Sequence, residues 1–351
     1  MADVNAIHIH PFFINRTTNT LPILIINPIL GVFVNYVILT QSKTLGSFKY
    51  YLLNQTLWAQ LFEALYTVYN PVLVCPVIGA FQSGLLRNVA SPQLTTIVSI
   101  FVYIFFINTA FGVSLSLFNR LIFTFHPNLK PYLHNKFTFA GIVIFHLLMY
   151  SVVCILLSYA LNDAEGMRKI SLTESGDALR PFFNESSLIQ VSEFGGWTRR
   201  AIATFFFLIC LFNSILIGCV IVFIVNVRIH KQTSKTVSQN SFSLIISSLV
   251  QSILCVVLLF IPAGGLTFCW GFEIKNSANV INALFLLANI HGTIDMVCLL
   301  IFVKPYRMYC YKLFTRIGFA RIQQNSVDNS LFMHSLFTTN LVRQNVSGAT
   351  Q

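Results

Sequence analysis

The chain has 351 residues, of which 9% are charged and 55% hydrophobic, and its mean hydropathy is +0.72. An ordinary soluble domain carries roughly 25% charged residues, so this composition excludes a water-soluble globular enzyme and also a disordered chain. The net charge of +11 would suit nucleic acid, and the position of those charges along the chain decides that question.

Seven long stretches of the chain are apolar and almost free of charge. Five of the gaps between charged residues contain no Asp, Glu, Lys or Arg, and two contain one acid each, Glu63 and Asp295. Each gap holds a continuous run as long as the roughly 20 residues that a bilayer helix needs, whereas a barrel strand is about ten residues of alternating polarity. The sequence therefore predicts an all-α membrane protein, a seven-transmembrane helix bundle with spans near residues 21–41, 50–74, 94–122, 137–161, 201–227, 242–269 and 278–303.

The distribution of basic residues predicts the orientation of the bundle. With the amino terminus outside, the cytoplasmic segments hold 14 of the 22 Lys and Arg residues and one acid, whereas the outer segments hold eight basic and eight acidic residues. The positive-inside rule therefore places the amino terminus outside and the carboxyl terminus inside. The basic excess is then a signature of the cytoplasmic leaflet of a lipid bilayer, and nucleic acid is excluded as a partner. Sequons at Asn15 and Asn184 fall on the predicted outer side and are glycosylation candidates.

The bundle and the segments outside it make up four expected parts of the chain. The largest outer loop, 162–200, is long enough to fold over the mouth of the bundle, but its length and composition are equally typical of a solvated and mobile loop. Aromatic and basic residues mix at near-helical spacing after the last span, which predicts a short amphipathic helix on the inner leaflet, with Cys310 as a palmitoylation candidate. The expected parts are an extracellular amino terminus (1–20), the seven-transmembrane bundle (21–303), a juxtamembrane amphipathic segment (304–322) and a disordered cytoplasmic tail (323–351).

Polar residues inside the spans are candidates for a functional site, because charged groups in a membrane are costly. Glu63 lies about halfway along the second span, and Asp295 lies in the seventh span near Asn289 and His291. These four residues predict a polar cluster between the two spans. The cluster either couples ligand binding to a helix rearrangement or serves as static hydrogen-bonding contact between helices.

The sequence offers no pattern that indicates catalysis. No Cys/His cluster has the spacing of metal ligands, and no hydrolase, kinase, zinc-protease or nucleotide-loop motif is present. We therefore expect no enzyme activity, no metal site and no cofactor. Most of the eight cysteines lie inside spans as small apolar residues, but Cys75 and Cys269 lie near outer ends, where they either pair in an oxidising compartment or stay reduced.

The inner end of the third span carries the pair Asn119 and Arg120. An Arg in this position either extends toward lipid headgroups or forms an intracellular lock and contacts a signalling partner. The cytoplasmic connections near 125–136 and 228–241 are short and basic, which suits an acidic partner or lipid headgroups.

Several short motifs resemble one family. After the second span, residues 75–79 read Cys-Pro-Val-Ile-Gly and residues 84–86 read Gly-Leu-Leu; near the end of the seventh span, residues 289–292 read Asn-Ile-His-Gly. Together with residues 43–54, these stretches resemble nematode serpentine chemoreceptors, especially serpentine receptor class H, over roughly residues 20–320. The matching juxtamembrane motif consists of Lys304, Pro305, Tyr306 and Arg307.

The resemblance implies a multi-pass plasma-membrane receptor, often in sensory cilia, that binds a small-molecule ligand and signals through a heterotrimeric G protein. The chain departs from rhodopsin-like receptors, because Asn119 replaces the usual acid before Arg120 and the seventh span lacks Asn-Pro-x-x-Tyr. The disulfide from the third span to the long outer loop is also excluded, since neither segment contains Cys. The candidates for G-protein coupling are Asn119, Arg120, Arg228 and Lys231.

The leading hypothesis is a chemosensory receptor. A small molecule binds beneath loop 162–200, shifts the population between two packings of the bundle, and opens an inner cleft for the G protein. A seven-span ligand-gated ion channel is the main alternative; the charge bias and the outer sequons argue against it, since such channels can have the opposite topology. A transporter and an orphan membrane protein of purely structural role are further alternatives. Judged by depth, the candidate ligand-binding residues are Tyr66, Tyr69, Asn70, Tyr103 and Asn108.

Overall fold

The apolar runs of the sequence form long helices in the computed structural model, which describes residues 7–42, 48–125, 127–133, 135–233 and 239–316. Backbone N–H and C=O groups in lipid find no water to bond with, so they must bond with one another, and a helix achieves this within one segment. Six helices of the described part are long and apolar enough to cross a membrane: Thr17–Gln41, Pro92–Phe123, Lys136–Ser158, Phe194–Asn226, Ile246–Gly271 and Ala278–Phe302.

The helix Phe48–Tyr69 completes the seven and is the most polar of them. Four of its polar side chains, those of Gln55, Thr56, Glu63 and Thr67, are buried and do not face lipid. The helix packs against the first, third and seventh spans, which supply the hydrogen-bond partners that lipid lacks. The fold is therefore the predicted seven-transmembrane helix bundle.

The predicted range 50–74 for the second span was too long at its outer end. The helix ends at Tyr69, and the apolar residues after it form a strand instead. Asn70 has a positive φ of 44°, which Asn tolerates better than most residues, and the following Pro71 disfavours a helical conformation at the residue before it. The full helices that contain the other spans, some of which extend beyond the apolar stretches given above, have the bounds Thr17–Gln41, Pro92–Phe125, Lys136–Ser158, Trp197–Thr233, Gln239–Gly271 and Ala278–Phe302.

The sixth and seventh spans are irregular near their centres. The sixth runs as Gln239–Cys255 and Ile261–Gly271, joined by the π turn Val256–Phe260. Pro262 follows this turn and has no N–H for the usual helical bond, so a wider turn accommodates the ring. The seventh span consists of two helices, Ala278–Ala288 and His291–Phe302, separated by Asn289 and Ile290.

A small antiparallel sheet covers the outer end of the bundle. Its strands are β1 (Pro71–Leu73), β2 (Gly79–Gln82) and β3 (Ile189–Gln190), in the order β1-β2-β3. Val72 pairs with Phe81 and Ala80 pairs with Ile189, and all residues of the strands are buried. We call this sheet, together with the segment 7–16 that runs beside it, the outer cap. Loop 162–200 thus folds over the mouth of the bundle, through β3, the helix Ala164–Ser175 and the short turns Arg180–Phe182 and Phe194–Gly196.

The inner end of the bundle is closed by a second apolar cluster. It joins the first, second and seventh spans through Val37, Leu52 and Leu299, and it includes Tyr306 from the helical segment 304–316. The predicted juxtamembrane helix is therefore present as far as residue 316, with Tyr311 and Phe314 exposed along it. The predicted disordered tail, 323–351, lies outside the described residues.

Candidate functional site

The carboxylate of Glu63 caps the inner half of the seventh span. Its Oε2 accepts a hydrogen bond from the backbone N–H of Thr293 at 2.6 Å, and its Oε1 accepts one from the Thr293 hydroxyl at 2.5 Å. The helix restarts at His291, so the N–H of Thr293 is one of the first-turn donors that have no partner within the helix. A carboxylate at this end satisfies that donor and also interacts favourably with the helix dipole.

The second and seventh spans touch closely at this point. A Cβ atom on Gly292 would lie 2.6 Å from Oε2 of Glu63 and 2.8 Å from the carbonyl oxygen of Ala59, so no residue larger than glycine fits without a shift. One turn toward the outer side, the hydroxyl of Thr67 donates to Oδ1 of Asn289 at 3.1 Å. The break in the seventh span is thus joined to the second span by side chains.

Asp295 and His291 lie on the inner side of the break, and both are fully buried. Oδ2 of Asp295 accepts a hydrogen bond from Nε2 of Gln55 at 2.8 Å. Among the described residues, neither ring nitrogen of His291 has a hydrogen-bond partner. The structure therefore brings Glu63, Asn289 and Asp295 to one interface between the second and seventh spans. His291 is buried beside the break in the seventh span, and the part of all four residues in signalling remains a prediction.

Arg120 lies at the inner end of the third span and is 5% exposed. Its Nη1 donates to Oγ of Ser248 in the sixth span at 2.5 Å, and its guanidinium carbon lies 4.2 Å from the ring centroid of Phe48. The cation–π contact with Phe48 and the hydrogen bond to Ser248 tie the third span to the second and the sixth. The side chain therefore points into the bundle and not toward lipid headgroups.

Other inner residues support this arrangement. Asn119 is buried beside Arg120, and the hydroxyls of Ser42 and Tyr306 share a hydrogen bond of 2.6 Å. Sequence reasoning found Arg120 but missed Ser248 and Phe48, because a serine in an apolar run and a phenylalanine beside a basic loop carry no signal of their own. Arg228 and Lys231 lie in the helix Trp197–Thr233, but their side chains are outside the part that the structure describes.

Three of the candidate ligand-binding residues lie together under the outer cap. Tyr66, Tyr69 and Asn70 are all buried at the outer end of the second span. Tyr69 shares a hydrogen bond of 2.7 Å with Ser99, and the ring of Tyr66 stacks on Phe285 with centroids 6.2 Å apart.

The other two candidates lie on the third span. Tyr103 is half-buried and within electrostatic range of Tyr66 and Tyr69. Asn108 belongs to a different contact, since its Oδ1 accepts a hydrogen bond of 2.7 Å from Tyr150 in the fourth span. The structure thus groups Tyr103 with the second-span tyrosines and separates Asn108 from them.

Arg16 holds the outer cap in place, a role that the sequence did not reveal. It precedes the first span as one of the outer charges, yet its side chain is fully buried. Its Nη2 donates to the carbonyl oxygen of Pro71 at 2.5 Å and its Nη1 donates to that of Asn282 at 3.4 Å. The amide of Asn282 in turn binds both the N–H and the C=O of Leu73, at 3.0 and 2.9 Å. Strand β1 is thus fixed to the first and seventh spans.

The rim of the outer cap is held by ion pairs. Arg87 forms a two-point ion pair with Glu185, with distances of 3.1 and 2.6 Å, and its Nη1 donates to Oδ1 of Asn15 at 3.0 Å. Arg199 pairs with Glu193 and with Glu273. The two glycosylation candidates, Asn15 and Asn184, are both exposed. On the opposite side of the membrane, Cys310 is half-buried in the segment 304–316, and its palmitoylation remains a prediction.

The buried polar contacts and the long apolar helices define a multi-pass membrane protein of the seven-helix class. The family model described as serpentine type 7TM GPCR chemoreceptor Srh matches residues 11–316. The chain therefore belongs to the Srh family of seven-transmembrane chemoreceptors, which is a family of receptors and not of enzymes. The resemblance to class H is confirmed. No curated protein matches the chain at a significant level.

Proposed function

We propose that this receptor binds a small molecule beneath the outer cap and activates a heterotrimeric G protein at its cytoplasmic face. The observation that carries the proposal is the buried contact of Arg120 with Ser248, which closes the inner ends of the third and sixth spans against each other. The hydroxyl of Ser248 and the ring of Phe48 are uncharged partners, and a modest shift in helix packing can separate the guanidinium of Arg120 from them. Its release would expose a cation to a docking partner.

The ligand is proposed to bind among Tyr66, Tyr69, Asn70 and Tyr103. Small-molecule sites are usually apolar and aromatic with a few well-placed polar groups. This region has that chemistry, because Phe62 packs against both Tyr66 and Phe106, with ring centroids 5.6 and 5.7 Å apart. Asn108 is a weaker candidate, since its amide is already bound by Tyr150.

The seventh span is the proposed connection between the two ends. Its outer half packs on Tyr66 through Phe285, and its inner half is held by Glu63 at the break. A ligand that prefers one packing of the outer half would shift the population of the inner half as well. We propose that the working receptor lies in the plasma membrane, including the membrane of sensory cilia.

Replacing Ser248 with Ala tests the inner contact. We expect basal G-protein signalling to rise roughly tenfold or more at equal surface expression, because a hydrogen bond to a charged group contributes about 1.5–3 kcal/mol and about 1.4 kcal/mol changes an equilibrium tenfold. Arg120→Ala should lose ligand-evoked signalling, since it removes the proposed docking cation. Both effects are read with a second-messenger reporter.

Ser252→Ala is the matched control, because the hydroxyl of Ser252 bonds to the carbonyl oxygen of Ser248 within its own helix. We expect it to leave basal signalling unchanged. Unchanged basal signalling in Ser248→Ala would count against the inner contact as a lock. A ligand-evoked current that persists when G proteins are blocked would instead support the channel alternative.

A further inference from the structure

Cys75, in the turn between β1 and β2, and Cys269, in the sixth span, lie near each other in space, although 193 residues separate them in sequence. Nη1 of Arg199 donates to the carbonyl oxygen of Trp270 at 2.8 Å and lies 3.4 Å from that of Pro76. One nitrogen therefore contacts the residue after Cys269 and the residue after Cys75, which brings the two segments close together. The thiol of Cys75 also lies near Trp270 and Ser277, on both sides of the turn that follows the sixth span.

Burial points in the same direction. Cys75 is 1% exposed and Cys269 is 7% exposed, and both belong to the same apolar cluster beneath the outer cap. The structure holds both as free thiols. Cys75 lies in the turn between β1 and β2, and Cys269 lies in the last turn of the sixth span, so both are on the side that faces the oxidising lumen of the secretory pathway.

We propose that Cys75 and Cys269 form a disulfide that links the turn between β1 and β2 to the outer end of the sixth span. The oxidant is the disulfide of a thiol–disulfide oxidoreductase in the secretory pathway. One thiolate of the receptor attacks that disulfide and forms a mixed disulfide, and the second thiolate then displaces the oxidoreductase as a dithiol. The receptor loses two electrons and two protons, and the oxidoreductase gains both electrons and both protons as its disulfide becomes two thiols.

The timing of this step follows from the environment of the thiol. Burial, and secondarily the neighbouring Cys269, raises the pKa of Cys75 to about 12. Only a thiolate reacts in disulfide exchange, so the thiol is inert once the outer cap has closed over it. The bond therefore forms while the cap is still folding. Its consequence is that the outer end of the sixth span stays attached to the cap in every state of the receptor.

Peptide mapping of the full-length receptor from surface membranes tests the proposal directly. The membranes are lysed in SDS with N-ethylmaleimide present, so that buried free thiols become exposed and are blocked as well, and the protein is digested without reduction. We expect a linked peptide pair containing Cys75 and Cys269 that disappears on reduction. Recovery of both cysteines as N-ethylmaleimide adducts, from wild-type receptor that has reached the surface, would overturn the proposal.

Single and double substitutions give a second measurement. If the bond exists, Cys75→Ser, Cys269→Ser and the double variant should lower the thermal midpoint by the same amount, because either single change already removes the cross-link. Cys298→Ser, in the seventh span, is the control and should lack this effect. Additive losses in the double variant would contradict a shared bond. The mapping of wild-type protein still decides the question if the variants fail to reach the surface.

Discussion

Glu63→Ala will destabilise the purified receptor by about 1–3 kcal/mol, because a buried backbone donor then loses its acceptor. The affected donor is the N–H of Thr293, which starts the inner half of the seventh span. The loss also removes the negative charge or carboxyl dipole that the helix terminus favours. Thermal unfolding in detergent, followed by binding of a thiol-reactive dye or by light scattering, measures the change as a lower midpoint.

Glu63→Gln is the matched control for this prediction. Its amide oxygen still accepts from the N–H of Thr293, and its NH₂ group can donate to the hydroxyl of the same residue. We therefore expect Glu63→Gln to keep most of the stability that Glu63→Ala loses. Equal losses in the two variants would mean that the carboxylate acts through its charge and not as a cap.

Asn282→Ala should detach the outer cap from the seventh span. The amide of Asn282 binds both backbone groups of Leu73 in a fully buried setting, and leaving both unpaired costs about 1–3 kcal/mol for each group. We expect this variant to lose more surface delivery than a variant that removes any other single contact of the cap. Flow cytometry of an extracellular tag, compared with total receptor, measures it.

The same helix supplies a control of the same chemistry. The amide of Asn279 also bonds to one N–H and one C=O of the backbone: it accepts from the N–H of His10 at 2.8 Å and donates to the carbonyl oxygen of His8 at 3.2 Å. These contacts are exposed, so water can replace them. Asn279→Ala should therefore reach the surface almost normally. If the two variants fail equally, the number of contacts and not their burial decides the stability of the cap.

The sequence predicts the bundle well because seven long apolar stretches, five without any charge and two with one acid each, are explained by lipid. It predicts the end of the second span badly, since the residues of the strand Pro71–Leu73 are as apolar as those of a membrane-spanning helix and are all buried. The sheet itself was beyond reach, because β2 and β3 are separated by more than 100 residues and their pairing depends on the packed bundle.

The candidate site shows the same limit on a smaller scale. Glu63 and Asp295 stand out because acids are rare in a span. Their partners do not stand out, since Thr293 and Gln55 are ordinary polar residues. Arg16 counts in the sequence only as one of the outer charges, because it precedes the first span. Its burial arises from the carbonyl groups that the cap presents to it, and these exist only in the folded protein.

The contact between Arg87 and Asn15 has a consequence for carbohydrate. An N-linked sugar is attached to Nδ2 of asparagine, whereas Arg87 binds Oδ1 of Asn15. Sugar attachment and the arginine clamp therefore do not compete for the same atom. A glycan on Asn15 would project from the rim beside Glu185, next to the exposed Asn184. Two sugar chains would then lie on one edge of the receptor, and the opposite edge would carry none.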